Sequence, residues 1–363
     1  MPESPRAALL LAAALSIAAP ASAAKPLPDR IDSYLRTKAS GPFSGVVLVA
    51  QFGQILFHRA YGWADAERAV PNSLGTRFAY ASLTKPVTAA AVLHQVERDA
   101  IRLDASICDY LAQCPAAWRP ATIRHLLSHT SGIPDLAEAI GADGPPDFRA
   151  AIDRAAAAHA GRGLASRPGS TYAYSNFGYY LLGYALEVAT GKSWFQAARE
   201  AVIAPAAMMD TGFGEDYAAV PQAAAGYRRV DPNTLALAPY RSPHAYAAGG
   251  LVGTAEDLVR FDLTLSRYKI IAPATLAQMT EPGSGRYGLG WQLLTVLGRA
   301  QRNHTGQLPG FAGHLASYAD GTQVVVLSNI DNEPVQDTAC DLAALAFGLE
   351  PSAPGTPACR PAA

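Results

Sequence analysis

The sequence predicts an α+β fold: an antiparallel β-sheet flanked by helices, with a mostly helical subdomain inserted into it. Three observations carry that expectation. Runs of β-branched and aromatic residues cluster early, at Ser44–Ala50 and Gln54–Tyr61, and late, at Gly290–Val296, Gly310–Tyr318 and Gln323–Ile330. From about Ile101 to Ala245 the pattern changes to helical segments, alanine runs and Gly/Pro turns. Half of the 363 residues are hydrophobic and only 16% are charged, which suits a sizeable core and not a disordered chain. A sheet assembled from both ends of the chain makes the middle an insertion and puts the natural cleft between the two parts. The expected organisation is a signal peptide at 1–23, a discontinuous sheet domain at 24–100 and 246–350, a helical subdomain at 101–245, and a Pro-rich tail at 351–363.

Taken in order, Arg6, the apolar stretch Ala7–Ala19 and the small residues Ala21-Ser22-Ala23 have the layout of a secretory signal. The apolar run is too short for a continuous membrane span, so no integral membrane anchor is expected after cleavage, and the protein is expected to be secreted or periplasmic. Asp29–Lys38 reads as a short amphipathic helix. The two early strands flank Gly53 as a hairpin. Pro86–Glu97 is apolar nearly all round, the mark of a helix buried inside the protein. Asp147–Ala160, Tyr179–Thr190, Ala255–Leu265 and Val335–Phe347 are the further helices.

The formal net charge of −1 removes the usual electrostatic case for nucleic acid. Four cysteines, Cys108, Cys114, Cys340 and Cys359, allow three pairings. Proximity favours Cys108–Cys114, and Cys340–Cys359 would pin the tail. No CxxC spacing points to zinc. His125 and His129 lack the Glu of an H-E-x-x-H site, which favours a structural use for both. Nothing points to a metal, a nucleotide or a flavin, and no cofactor is expected.

Lysine is scarce, yet a serine stands three residues before one at Ser22…Lys25, Ser82…Lys85 and Ser266…Lys269. The first straddles the predicted cleavage site, and the third lies at a helix C-terminus, where the dipole disfavours a developing oxyanion. Ser82 differs because of Pro86, which is tolerated only in the first turn of a helix. Ser82 therefore falls at or just before a helix start, among free N–H groups, with Lys85 one turn on along the same face. Burial of that helix lowers a lysine pKa toward that of a usable base. Tyr174-Ser175-Asn176 precedes a predicted helix, and His304-Thr305-Gly306 precedes a predicted strand.

The order Ser-x-x-Lys, Tyr-x-Asn, His-Thr-Gly resembles the serine β-lactamase and penicillin-binding protein superfamily, and most of all its class C β-lactamase, D-alanyl-D-alanine carboxypeptidase and esterase branch. Further matches run from about Ser44 to Ile330. They include Leu126–Ile133, Pro168-Gly169-Ser170, Gly249-Gly250-Leu251 with Thr254–Leu258, and Tyr287–Trp291. The resemblance implies a β-lactamase/transpeptidase-like fold and an acyl-enzyme mechanism on amide or ester substrates: peptidoglycan stem peptides, β-lactams, D-amino-acid peptides or small esters. It implies Ser82 as nucleophile, Lys85 as its cationic partner and Tyr174 as general base, the default for the deacylating water too. Asn176, His304, Thr305, Gly306 and Gln307 would meet the substrate, with the N–H groups of Ser82 and Gln307 as oxyanion donors.

A Tyr base near neutrality needs cations beside it. His304 departs from the lysine that many relatives carry there. It either grips a substrate carboxylate as a cation or hydrogen-bonds Tyr174. Trp291, Tyr287, Tyr246 and Phe311 are candidate linings of an acyl pocket or core residues. The competing reading is a non-catalytic penicillin-binding or scaffold protein that keeps the fold as a ligand cradle.

Overall fold

A computed structural model describes residues 25–37, 41–140, 147–214, 217–238 and 245–352. The predicted signal peptide and the tail beyond Ser352, with Cys359, lie outside the described residues.

Strands β1 (Gly45–Gln51) and β2 (Gln54–Tyr61) join β3 (Gln292–Val296), β4 (Arg299–Leu308), β5 (Phe311–Tyr318) and β6 (Thr322–Ser328) in one antiparallel sheet of order β3-β4-β5-β6-β1-β2. The sheet is thus built from the two ends of the chain. The β1–β2 turn is two residues long, and both have positive φ (Phe52 50°, Gly53 83°), the sign that a tight hairpin linking right-twisted strands requires.

Both faces of the sheet are covered, which explains why β1 and β6 are apolar without alternation. Val47, Val49, Val324 and Val326 pack in a cluster with Ile31 and Leu35 of helix α1 (Leu27–Arg36), and with Leu342 and Leu345 of the C-terminal helix Val335–Ala346. Their neighbours Val46, Leu48, Val325 and Leu327 point the other way, into a core shared with Val87 and Leu93 of α2 (Thr84–Val96), Leu182 and Leu186 of α3 (Asn176–Thr190), and Phe261 of α4 (Ala255–Ser266). The second core runs without a break from the sheet into the helical part of the chain.

Three departures from the sequence expectation touch the site. Helix α3 begins at Asn176, not Tyr179, because it is capped twice. Ser175 Oγ accepts the Gly178 N–H at 3.0 Å, and the Asp135 carboxylate accepts the N–H groups of Asn176 and Phe177 at 3.0 and 2.9 Å. Helix α2 begins at Thr84 and is entered through a 3₁₀ turn, Ala81–Leu83, that holds Ser82. The polar stretch Arg299–Leu308, which carries His304–Gln307, is itself a strand. Its polarity is absorbed in place: Arg302 donates twice to the buried Asp262 carboxylate, at 3.1 and 2.7 Å. Tertiary partners here override weak strand propensity.

Candidate active site

Three elements converge. The turn before α2 brings Ser82, the first turn of α3 brings Asn176, and β4 brings Gly306 and Gln307. Ala81, just before Ser82, has a left-handed φ of 51°, a conformation that costs an alanine about 1–3 kcal/mol. It is held by its neighbour Tyr80, whose N–H donates to Leu251 O at 2.8 Å and whose hydroxyl donates to Thr254 O at 2.7 Å.

Lys85 sits on the second residue of α2 and is fully buried. Its Nζ donates to Ser82 Oγ at 3.0 Å, to Asn176 Oδ1 at 2.7 Å and to Ala248 O at 2.9 Å. Thr88 Oγ1, one turn further along α2, donates to Ala247 O at 2.7 Å and so straps the segment that supplies the third acceptor. Burial lowers the Lys85 amine from its ordinary 10.5 to about 7, although the nearby Asp135 charge pulls it upward. At neutral pH a substantial fraction of the amine is therefore unprotonated, with a lone pair free to face Ser82.

The Tyr174 hydroxyl donates to the same Ser82 Oγ, at 2.8 Å. The ring stays 41% exposed, but burial of its hydroxyl end pushes the phenol above its ordinary range, and the bond to Ser82 opposes that push. Lys85 Nζ lies over the ring face, 4.8 Å from its centroid. Tyr174 thus stands as a hydrogen-bond donor to Ser82, with the Lys85 amine against its ring face.

His304 has both ring nitrogens engaged. It is buried, its Nδ1 lies 2.9 Å from Thr305 O, and its Nε2 lies 2.9 Å from the Tyr287 hydroxyl. A carbonyl only accepts, so Nδ1 carries the proton and Nε2 accepts from Tyr287. Burial, and then the Lys85 charge, hold His304 down at about 3. It is neutral near pH 7 and bonded to Tyr287, neither a cation for a substrate nor a partner of the Tyr174 hydroxyl. Thr305 Oγ1 bonds His314 Nδ1 at 2.8 Å.

Gly306 packs on the nucleophile turn so closely that a Cβ there would lie 2.3 Å from Tyr80 O and 3.2 Å from Ser82 N. Strand β3 pairs with β4 only as far as Asn303, so among the described residues the β4 edge at Gly306 and Gln307 has no strand on that side. The Gln307 side chain is tied back, donating to Asp331 O at 2.9 Å.

A cavity of about 320 Å³ opens on Ser82 and Asn176, between Gln307 and small residues such as Ala137, Ala248 and Gly249. Glu138 is the single charged side chain in its described lining. Trp291, Tyr287, Tyr246 and Phe311, candidates for an acyl pocket or for the core, are buried and absent from the described lining of this cavity, to which Tyr180 supplies a ring. Sequence reasoning missed Asp135 and Glu138. The signal available was their place just after Ser131-Gly132-Ile133, on the connection that the site's neighbourhood uses.

The Beta-lactamase family description matches residues 32–348. The chain belongs to the beta-lactamase family. Esterase EstB of Burkholderia gladioli is 31% identical over 366 residues, covering 85% of this chain and 91% of that protein. Penicillin-binding protein 4* of Bacillus subtilis is 28% identical over 340 residues, covering 87% and 75%. Among solved structures, D-amino acid amidase from Ochrobactrum anthropi, complexed with L-phenylalanine amide, superposes with a TM-score of 0.70 at 25% identity, covering 84% of this chain and 92% of that one. As a member of the beta-lactamase family, the protein is a serine hydrolase.

Proposed function

We propose that this beta-lactamase family member is an exported hydrolase that forms an acyl-enzyme on Ser82 from ester or amide substrates with neutral or amine-bearing acyl groups. The observation that carries the reading is the sharing of one hydroxyl, Ser82 Oγ, between a buried amine at 3.0 Å and a phenol at 2.8 Å. The neutral Lys85 amine takes the Ser82 proton as Oγ bonds to the substrate carbonyl carbon. The carbonyl oxygen becomes an oxyanion against the N–H groups of Ser82 and Gln307, as the close packing of Gly306 on the nucleophile turn supports. The bond to the leaving alcohol or amine breaks, and that group takes a proton from the Lys85–Tyr174 pair. Water then repeats the cycle on the ester: it gives a proton to Lys85, its oxygen joins the carbonyl carbon, and Ser82 Oγ leaves and is reprotonated. Lys85 thus carries the role that the family resemblance implies for Tyr174. Asn176 holds the amine through its Oδ1 and lines the substrate cavity.

The substrate class rests on charge. The described cavity lining has no Lys or Arg, and Glu138 makes no ion pair or hydrogen bond among the described residues, so a carboxylate-bearing acyl group meets repulsion and an ammonium meets attraction. The ester and amide chemistry in the names of the related esterase and amidase is in keeping with this. Because Glu138 is exposed, the preference is modest: Glu138→Gln lowers kcat/KM for an amino-acid nitrophenyl ester with a free ammonium by about 2–5-fold relative to its N-acetyl form. Equal loss on both esters contradicts the assignment. Export is supported by the N-terminal signal pattern and by Cys108 and Cys114, whose Cα atoms lie 5.2 Å apart, within the span of a disulfide.

The test of the reading is intact mass after incubation with a fluorophosphonate. One phosphonyl adduct is expected on Ser82 and none on Ser82→Ala. An unmodified protein points to the binding-protein alternative.

A further inference from the structure

We propose that His129 is a positioning residue for Tyr174, fixing the phenol against Ser82 by clamping the backbone on both sides of it. The proposal rests on the reading of Tyr174 as a proton carrier. His129 lies two residues past the short helix Ile123–Leu127, in a left-handed conformation (φ 57°) that turns its ring into the protein. Its carbonyl accepts the Ala173 N–H at 2.8 Å. Its Nδ1 accepts the Ser175 N–H at 3.2 Å. Its ring lies against the residue between them, with centroids 4.4 Å apart from Tyr174. One side chain and its own backbone thus hold positions 173, 174 and 175 at once, and Ser175 in turn caps the helix that presents Asn176.

The ring's own state fits the task. Since Nδ1 accepts from a backbone donor, the proton sits on Nε2. Among the described residues the buried Nε2 has no hydrogen-bond partner, and the ring is enclosed by those of Tyr287 at 4.7 Å, Tyr179 at 5.2 Å and Tyr172 at 5.9 Å. A buried N–H without an acceptor is costly, and a phenylalanine would fill the same volume without that cost. What phenylalanine lacks is the lone pair that receives Ser175. Burial, and then the Lys85 charge, keep the ring neutral and that lone pair available.

The test is a double-mutant cycle with Tyr174→Phe, read as kcat and KM on a nitrophenyl ester. His129→Phe is expected to lower kcat by about 10–100-fold, the scale of a misplacement near one ångström, with KM within about twofold. In the Tyr174→Phe background the same change is expected to cost less than about twofold, because there is no hydroxyl left to misplace. His129→Asn, which keeps an acceptor near Nδ1, is expected to recover part of kcat, and it replaces the phenylalanine variant in the cycle if that variant does not melt cooperatively. An equal kcat loss in both backgrounds, or a loss in KM alone, overturns the positioning role. If Tyr174→Phe by itself leaves kcat unchanged, the proton-carrier reading fails instead.

Discussion

Lys85→Met lowers kcat/KM for a nitrophenyl ester by about 10³–10⁴-fold, the upper range for loss of a general base. Methionine fills the same buried volume at the start of α2, but it has neither a lone pair to take the Ser82 proton nor a donor for Asn176 Oδ1 and Ala248 O. Two stability terms then oppose one another. Removing a desolvated amine favours the fold, whereas each orphaned buried acceptor costs about 1–3 kcal/mol. The variant is therefore expected to fold with a cooperative melt while activity collapses, and steady-state kinetics beside a thermal melt checks both halves. Retention of more than a tenth of the activity contradicts the role of the amine.

Gly306→Ala is expected to cost about 10²–10³-fold in kcat, the loss that follows when an oxyanion donor is removed. The glycine is demanded by space, not by backbone freedom. The added methyl would lie 2.3 Å from Tyr80 O, a backbone atom on the strained turn, so β4 must retreat from Ser82 N. Its cross-strand partner supplies the control. Gly313 pairs with Gly306 in register, but a methyl there meets Leu83 Cδ1 at 2.9 Å and Leu327 Cδ2 at 3.0 Å, the flexible ends of side chains. Gly313→Ala is expected to cost about 1–3 kcal/mol of stability through overpacking and to leave kcat within about threefold. Equal kinetic losses at the two positions would remove the argument for β4 as the wall of the oxyanion site.

What the sequence made legible is what local physics determines. Pro86 limits where α2 can begin, and that alone brings Ser82 and Lys85 to one helix end. The β-branched runs of β1 and β6 announce strands, and Gly53 between the first two announces their hairpin. What stayed hidden depends on partners distant in sequence. Strand β4 reads as polar loop because its Arg302 finds Asp262 only in the folded protein. The start of α3 is displaced by Asp135, forty-one residues before Asn176. His304 reads equally as a cation for a substrate and as a partner of Tyr174 until its two nitrogens are seen spent on Thr305 and Tyr287. His129, read as structural because it lacks a metal-site neighbour, shows its relation to Tyr174 only through backbone contacts that no spacing encodes.

The central claim is that an amine brought down to about 7 by burial prepares Ser82 for attack. Because the working form is the unprotonated amine and its pKa is depressed, reactivity must grow as pH rises: about tenfold per pH unit below 7, levelling above it. The direct measurement is the rate of fluorophosphonate adduct formation on Ser82, followed by intact mass from pH 5 to 9, in the parent protein and in Lys85→Met. A single rise with its midpoint near 7 is expected in the parent, and a slow rate without that midpoint in the variant. A rate that is level across the range, or a rise near 7 that survives in Lys85→Met, would contradict it.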